Sequence, residues 1–250
     1  MSNYVPIVNL PFLYINDLKI TNDSSNPDEV INISSGQCRD SSNVYDMVNS
    51  ASLDVNNTLS GLGGLDTGTV AASKVYYVLL VSDPVSGNPI GGMLSLSATA
   101  PLMPFGYSAF RVIGYAVTAS DSDFLLMQNA GNNNARIFTY DVPIATAVTA
   151  GNSATYADVA LDGFVPRIAN LPVLIEVNWT ANAAADTLAL HARNATGDTV
   201  KYIAQVAGAS AHWIAREYVN AQLDSGLPEI QYKVSAGTVA INVAGFQYYI

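Results

Sequence analysis

Residues 74–83 read KVYYVLLVSD, and this unbroken run of valine, tyrosine and leucine predicts a β-strand buried on both faces. A turn signal follows, so residues 90–97 are predicted to return beside it as the second strand of a hairpin. Residues 111–118, RVIGYAVT, predict another strand, in which Gly114 indicates a bulge or a close backbone approach. The segment between these strands, residues 97–110, is broken by prolines and a glycine and predicts a structured crossing loop.

The sequence before this strand extends the same β unit. Residues 30–33, VINI, alternate apolar and polar positions as a half-buried strand does. Gly36 lies in a predicted turn, SSGQ, where it is expected to adopt a positive φ. Residues 61–68, GLGGLDTG, lack the Lys-Ser/Thr of a phosphate-binding loop and instead predict a loop whose backbone packs closely against its neighbours. We therefore expect residues 31–128 to form one continuous β unit.

The second half of the chain predicts a separate group of strands. Residues 141–157 lose the sharp pattern, and beyond them alternating apolar segments recur roughly every ten to fifteen residues between turn signals. Such spacing is typical of an antiparallel sandwich or jelly roll, and the one helix candidate, residues 213–223, also fits a strand. The prediction is an all-β chain with an N-terminal arm or first strand at residues 1–20, a β-sandwich-like domain at 21–145, and a C-terminal β-sandwich or jelly-roll-like domain at 146–250.

The composition indicates a protein whose surface meets other proteins. Of the 250 residues 50% are hydrophobic and 12% are charged, against about 25% charged in an average soluble domain. The surface is then rich in Asn, Ser, Thr, Gly and Ala, which suits subunits covered by neighbours, although a monomer with a neutral polar surface is the alternative. The net charge is −10 and the ten Lys and Arg are scattered singly. This pattern argues against nucleic-acid binding and against a membrane-bound surface.

Two further features concern the cellular compartment. The single cysteine, Cys38, excludes an intramolecular disulfide and a zinc site built from cysteines of one chain. The N-terminal residues lack the charged and apolar regions of a signal peptide, and the longest apolar run, residues 75–81, is too short to span a bilayer. We therefore expect synthesis in a cytoplasm and no membrane insertion.

Candidate catalytic and metal-binding residues are sparse. His191 and His212 lie in separate segments with no G-x-S-x-G motif, so structural or surface roles are expected for both. The acidic groups at residues 28–29 and 121–123 lack EF-hand spacing. Cys38 stands beside an arginine, which allows a lowered pKa, but a buried apolar thiol is the commoner case. The chain is predicted to have no catalytic residue, metal or cofactor.

The aromatic residues allow two interpretations. Trp179 and Trp213, with several tyrosines of the same half, are candidates for a surface that binds sugar or protein. Aromatic residues inside a β core are the commoner explanation.

Three motifs follow one another in the first half of the chain: INISSGQCRDS at residues 31–41, GGLDTG at residues 63–68 and PLMPFGYSAFRVIG at residues 101–114. In this order they resemble a family of tailed-bacteriophage virion proteins that carry labels such as tail-fibre, head-fibre or minor structural protein. The chain departs from the family pattern at Leu59 and Leu62, where an aromatic residue is usual. The signature residues of the pattern are Gly36, Cys38, Arg39, Asp40, Gly63, Gly64, Asp66, Gly68, Pro104, Gly106, Tyr107, Arg111 and Gly114.

The resemblance implies a non-enzymatic structural protein with no catalytic residues to carry over. We expect a virion component, in a capsid decoration, head fibre, tail fibre or tail tip, that binds other virion proteins after synthesis in the host cytoplasm. The low charge favours a homo-oligomer, with a trimer as the expected state. A host-surface module that binds carbohydrate through Trp179 and Trp213 is the alternative, and a polysaccharide depolymerase ranks last because no β-helix repeat is present.

Overall fold

The computed structural model describes residues 10–131, 135–193, 200–203 and 211–249, and these residues form strands and turns without a helix. The all-β prediction is therefore confirmed. The segment that fitted either a helix or a strand is a strand, Ala211–Asp224.

The chain divides into two compact units. Unit 1 is Met1–Arg136 with Tyr249–Ile250, and unit 2 is Ile137–Tyr248. The boundary predicted after residue 145 falls inside a continuous strand, Ala135–Gly151. Residues 1–9 of the predicted N-terminal segment lie outside the described residues.

Short antiparallel sheets make up unit 1. Its strands are β1 (Ile15–Asp17), β2 (Ile20–Asn22), β3 (Val30–Ile33), β4 (Gly36–Arg39), β5 (Asp46–Asn49), β6 (Leu53–Asn56), β7 (Val75–Ser82), β8 (Gly91–Ser95), β9 (Ala109–Val117) and β10 (Met127–Gly131). They form sheets of order β1-β4-β5, β2-β3-β6 and β8-β7-β9. Strand β7 is central in its sheet, and Leu79 and Leu80, which point to opposite faces, are both fully buried. The strand predicted from KVYYVLLV is confirmed, as is its hairpin with β8.

The glycine predicted to mark a bulge does so. Val78 pairs with Gly114 and Leu79 pairs with Val112, so Ile113 is an extra residue on β9. A bulge leaves one carbonyl without its ladder partner, and here the Ile113 carbonyl accepts a hydrogen bond from Arg136 Nη1 at 2.9 Å.

The glycine-rich segment lies along the edge of β8. Leu65 forms a parallel bridge with Leu94, and the Leu94 N–H donates to the Gly64 carbonyl at 2.8 Å. A Cβ on Gly64 would lie 2.3 Å from the Leu59 carbonyl oxygen, so only glycine fits there. The predicted close backbone approach is confirmed, and it serves packing against a strand.

The prediction for Gly36 is wrong in its mechanism. Gly36 has no positive φ and begins β4 instead of completing a turn. A Cβ on Gly36 would lie 2.5 Å from the Asn16 carbonyl oxygen and 2.6 Å from the Leu18 nitrogen. Glycine is required because the backbone on either side of Asp17, its pairing partner in β1, approaches it too closely for a side chain.

Unit 2 consists of longer antiparallel strands. They are β11 (Ala135–Gly151), β12 (Ala157–Ala160), β13 (Leu171–Ala181), β14 (Thr187–Ala192), β15 (Val200–Ile203), β16 (Ala211–Asp224), β17 (Leu227–Val234) and β18 (Thr238–Tyr249). Their order is β11-β18-β13-β16-β17-β14-β15, and β12 pairs with β17 in addition. Strands β13 and β17 bury every second side chain, as one-sided strands do. A stack of Phe138, Phe246 and Tyr248 lies in the core, with Phe138 and Phe246 centroids 5.2 Å apart.

Replacing Gly36 with alanine tests the close approach of the residue 16–18 backbone to β4. Because backbone atoms at 2.5 and 2.6 Å cannot move away as a flexible side chain can, we expect Gly36→Ala to lower the free energy of unfolding by more than about 2 kcal/mol. Ser35→Ala, at the exposed neighbouring residue, should change it by less than about 0.5 kcal/mol. Urea denaturation followed by circular dichroism measures both, and equal effects would contradict the close approach.

Candidate functional site

The signature residue Asp40 organises a turn. Its carboxylate accepts hydrogen bonds from the N–H groups of Ser42, Val44 and Tyr45 at 2.7–3.0 Å and from the Ser42 hydroxyl. Burial opposes ionisation of this carboxyl, but these hydrogen bonds outweigh burial and hold its pKa below the ordinary value. The CRDS motif therefore builds the turn between β4 and β5.

Asp66 of the GGLD motif connects two parts of unit 1. Its Oδ2 accepts a hydrogen bond from the Ser95 hydroxyl at 2.7 Å and another from the Leu102 N–H at 3.0 Å. Gly63 and Gly68, on either side, have φ values of 81° and 74°, a region that favours glycine. The motif thus fixes the crossing loop to the end of β8.

The third motif forms a second tight turn. The Tyr107 N–H donates to the Pro104 carbonyl at 3.0 Å, and Gly106 between them has a φ of 87°. The Tyr107 hydroxyl donates to the Pro89 carbonyl at 2.7 Å, which joins this turn to the loop after β7. The side chains of Asp40, Asp66 and Tyr107 are therefore engaged within unit 1.

Cys38 is a buried thiol, as the commoner interpretation held. Its side chain is inaccessible, and burial raises its pKa to about 12 even though Arg111 and Arg136 favour the thiolate. Arg111 donates to the Leu13 carbonyl at 3.3 Å, and Arg39 donates to the Leu10 carbonyl at 2.7 Å. The neighbouring Arg39 therefore does not lower the pKa of Cys38, which the sequence had left open.

The assignment of Trp179 to a binding surface is wrong. Trp179 has no exposed surface, and its indole N–H donates to the Ala236 carbonyl at 3.4 Å. Trp213 pairs with Trp179 along β16, but its side chain lies outside the described residues. The signal was in the sequence: in LPVLIEVNWTA, Trp179 shares its alternation with Val177 and Ile175, which are core residues.

His191 is also buried, 4% exposed, with its ring centroid 3.7 Å from that of Tyr156. The side chain of His212 lies outside the described residues. Burial first, and then the carboxylates of Asp121, Asp28 and Glu29, raise the pKa of Asp123. Within the described part of the chain, no group of three His, Cys, Asp or Glu side chains is arranged to hold a metal ion.

A polar cluster on unit 2 was not predicted from the sequence. Arg193 forms ion pairs with Asp158 at 2.7 Å, with Asp224 at 3.4 Å and with Glu229. The Gln231 amide donates to Asp158 at 2.6 Å, and this hydrogen bond, followed by Arg193, lowers the Asp158 pKa. These residues become neighbours only through the register of β12, β14 and β17, which a single sequence does not reveal.

Exposed apolar side chains on the loops after β7 and β8 were missed as well. Val85 (84% exposed) and Phe105 (104%) lie near the Asp83 end of the β7-β8 hairpin, because Gly106 approaches Asp83 and Asn88. Leu96 (56%) and Leu102 (63%) lie at the other end, where Ser95 and Leu102 both donate to Asp66.

No protein-family model matches the chain. A search of curated proteins likewise gives no match. Two solved structures align at low similarity. One is a carbohydrate binding module (CBM6cm-2) from Cellvibrio mixtus lichenase 5A in complex with cellotriose, at 11% identity and a TM-score of 0.23, covering 49% of this chain and 85% of that chain. The other is infectious bursal disease virus Gx strain, at 10% identity and a TM-score of 0.22, covering 96% of this chain and 73% of that chain. At these TM-scores the alignments establish neither a shared fold nor a shared function.

In the residues that the structure describes, no helix is long and apolar enough to cross a membrane.

The buried thiol gives a chemical prediction. Because Cys38 is inaccessible and its pKa is raised to about 12, the native protein should not react with a thiol reagent at pH 8 within hours, whereas the protein in urea should react within minutes. Rapid labelling of the native protein, followed by mass spectrometry, would contradict the burial of this residue.

The Arg193 cluster gives a pH prediction. Arg193→Met should lower the urea midpoint at pH 7 more than Arg216→Met does, because Arg216 forms one exposed pair with Glu176. The pKa of Asp158 is lowered in the folded state, so its stabilising contribution is present at neutral pH and is lost as the pH falls below about 4. The difference between wild type and Arg193→Met should therefore shrink in that range. A difference independent of pH would contradict the ion pairs.

Proposed function

We propose that the chain is a non-catalytic structural protein of a tailed-bacteriophage virion and that it works as a homo-oligomer, with a trimer as the expected state. The observation that carries this proposal is the exposure of large apolar side chains on unit 1, Val85 and Phe105 among them, in a chain of which only 12% is charged. Association that covers one large apolar side chain contributes about 1.5–3 kcal/mol, so repeated contacts of this kind stabilise an assembly.

The roles of the signature residues support a structural function. Asp40, Asp66 and Tyr107 hold turns through hydrogen bonds within unit 1. Gly36 and Gly64 are required where backbone atoms approach closely. A motif built in this way specifies a rigid module, which suits the three motifs' resemblance to phage virion proteins.

The proposed module would be part of a capsid decoration, head fibre, tail fibre or tail tip, assembled in the host cytoplasm, with capsid or tail proteins as its other partners. Glycan binding through Trp179 is not proposed, because that side chain lies entirely in the core.

Sedimentation velocity tests the homo-oligomer. At micromolar concentration we expect a single species with three times the mass of one chain, because the apolar surfaces that the monomer exposes are then covered. Antibody against the chain should also label purified virions in electron micrographs. A stable monomer at this concentration, together with unlabelled virions, would contradict the proposal.

A further inference from the structure

His191 is a buried polar side chain that makes no hydrogen bond. It is 4% exposed, and among the described residues neither ring nitrogen, Nδ1 or Nε2, has a hydrogen-bond partner. Buried polar groups in folded proteins are nearly always paired, because an unpaired one costs free energy. The structural role proposed above does not use this ring, so its presence in unit 2 has another cause.

The ring lies on the polar face of its sheet. Leu190, the residue before it in β14, is fully buried in the core, and successive side chains of a strand alternate, so His191 points away from that core. His191 pairs in register with Gln231 of β17, which pairs with Asp158 of β12. The three residues thus form one row across the sheet.

The ring of Tyr156 covers His191. The two ring centroids are 3.7 Å apart, and the Lys233 ammonium lies over the same tyrosine ring, 4.3 Å from its centroid. Tyr156 directly precedes β12, a four-residue strand whose pairing among the described residues is with β17 alone. Residues 154 and 155 before it are exposed. The cover is therefore attached at the margin of the sheet, where it can move while the long strands stay paired.

The charged groups near this face give a proton on His191 no partner. They are Asp158 of β12, Arg193 after β14, Asp224 of β16, and Glu229 and Lys233 of β17. All three carboxylates pair with Arg193, and within the described part of the chain none of them accepts a hydrogen bond from His191. Lys233 brings charge of the same sign as an imidazolium to the ring that covers His191.

We propose that His191 is an acid-sensitive switch: when its ring takes up a proton, the Tyr156 ring moves off it and the β12 margin of unit 2 opens. An imidazolium carries a charge and two N–H donors, and the closed site gives it no acceptor and almost no contact with water. With Tyr156 displaced, the ring reaches solvent. Because histidine titrates between pH 5 and 8, we expect the change in that range. This inference does not depend on the proposed function.

The histidine ring protons report the switch directly, because the chain has two histidines. In the full chain with 13C-labelled histidine, the ring current of Tyr156 should displace a His191 ring-proton resonance at about pH 8, and Tyr156→Leu should remove that displacement. In the wild type the displacement should disappear by about pH 5, in the same transition in which the ring takes up its proton. His212→Gln assigns the signal and should behave as the wild type does. A His191 signal that keeps its displacement at the lower pH, whether or not it titrates, would overturn the proposal.

Hydrogen exchange followed by mass spectrometry gives a second measurement. A histidine that titrates near pH 6.5 when open favours the open form by up to about thirtyfold at pH 5. After correction for the intrinsic effect of pH, the amides of residues 152–160 should therefore exchange faster at pH 5 than at pH 8 by up to about that factor, while those of β13 should not.

His191→Phe is the matched control, because phenylalanine can stack on Tyr156 and cannot take up a proton. In this variant residues 152–160 should show no acceleration at pH 5. An equal acceleration in wild type and His191→Phe would show that another group is responsible, and acceleration in β13 as well would show that unit 2 unfolds as a whole. Either result would mean that the proposal is wrong.

Discussion

The guanidinium of Arg136 holds together parts of unit 1 that its strands alone leave unjoined. It donates to the carbonyls of Asp17, Leu18 and Ile113, and its side chain is 3% exposed. Asp17 and Leu18 both have φ values of 54°, a conformation that costs a non-glycine residue about 1–2 kcal/mol. Arg136 stabilises this strained link between β1 and β2 and, at the same time, the bulge of β9. Unit 1 is therefore complete only when the chain has reached residue 136.

Arginine suits this position because its planar fork reaches several carbonyls at once and keeps its charge when buried. A lysine ammonium is a single point and cannot serve carbonyls contributed by β1 and by β9 in the same way. Cys38, which lies in the field of Arg136 and Arg111, stays neutral because burial outweighs both cations. Among the described residues, backbone oxygens are therefore the hydrogen-bond partners of the buried Arg136 guanidinium.

The sequence predicted the parts of the fold that depend on neighbouring residues. The VYYVLLV strand, the bulge at Gly114 and the close packing at Gly64 all follow from local pattern, and all are present. Gly36 was assigned to a turn because its pairing with Asp17 of β1 is a long-range contact that the local pattern does not show. The role of Arg136 and the carboxylates around Arg193 depend on register and on long-range contacts, which one sequence does not contain. The burial of Trp179, by contrast, could have been predicted from the sequence, because the alternation of β13 places it on the same face as Ile175.

The described cations are largely engaged with groups of their own unit. Arg136 and Arg111 bind carbonyls, Arg39 pairs with Asp46, Arg193 holds three carboxylates, and Lys233 lies over the Tyr156 ring at 4.3 Å. With ten more acidic than basic residues, the outward field of each copy repels the next. Salt screens this repulsion over about 10 Å at 0.1 M, but it does not supply attraction. A contact between two copies would therefore gain little from ion pairs and would depend on uncharged surface, of which residues 84–110 are the longest stretch in the sequence.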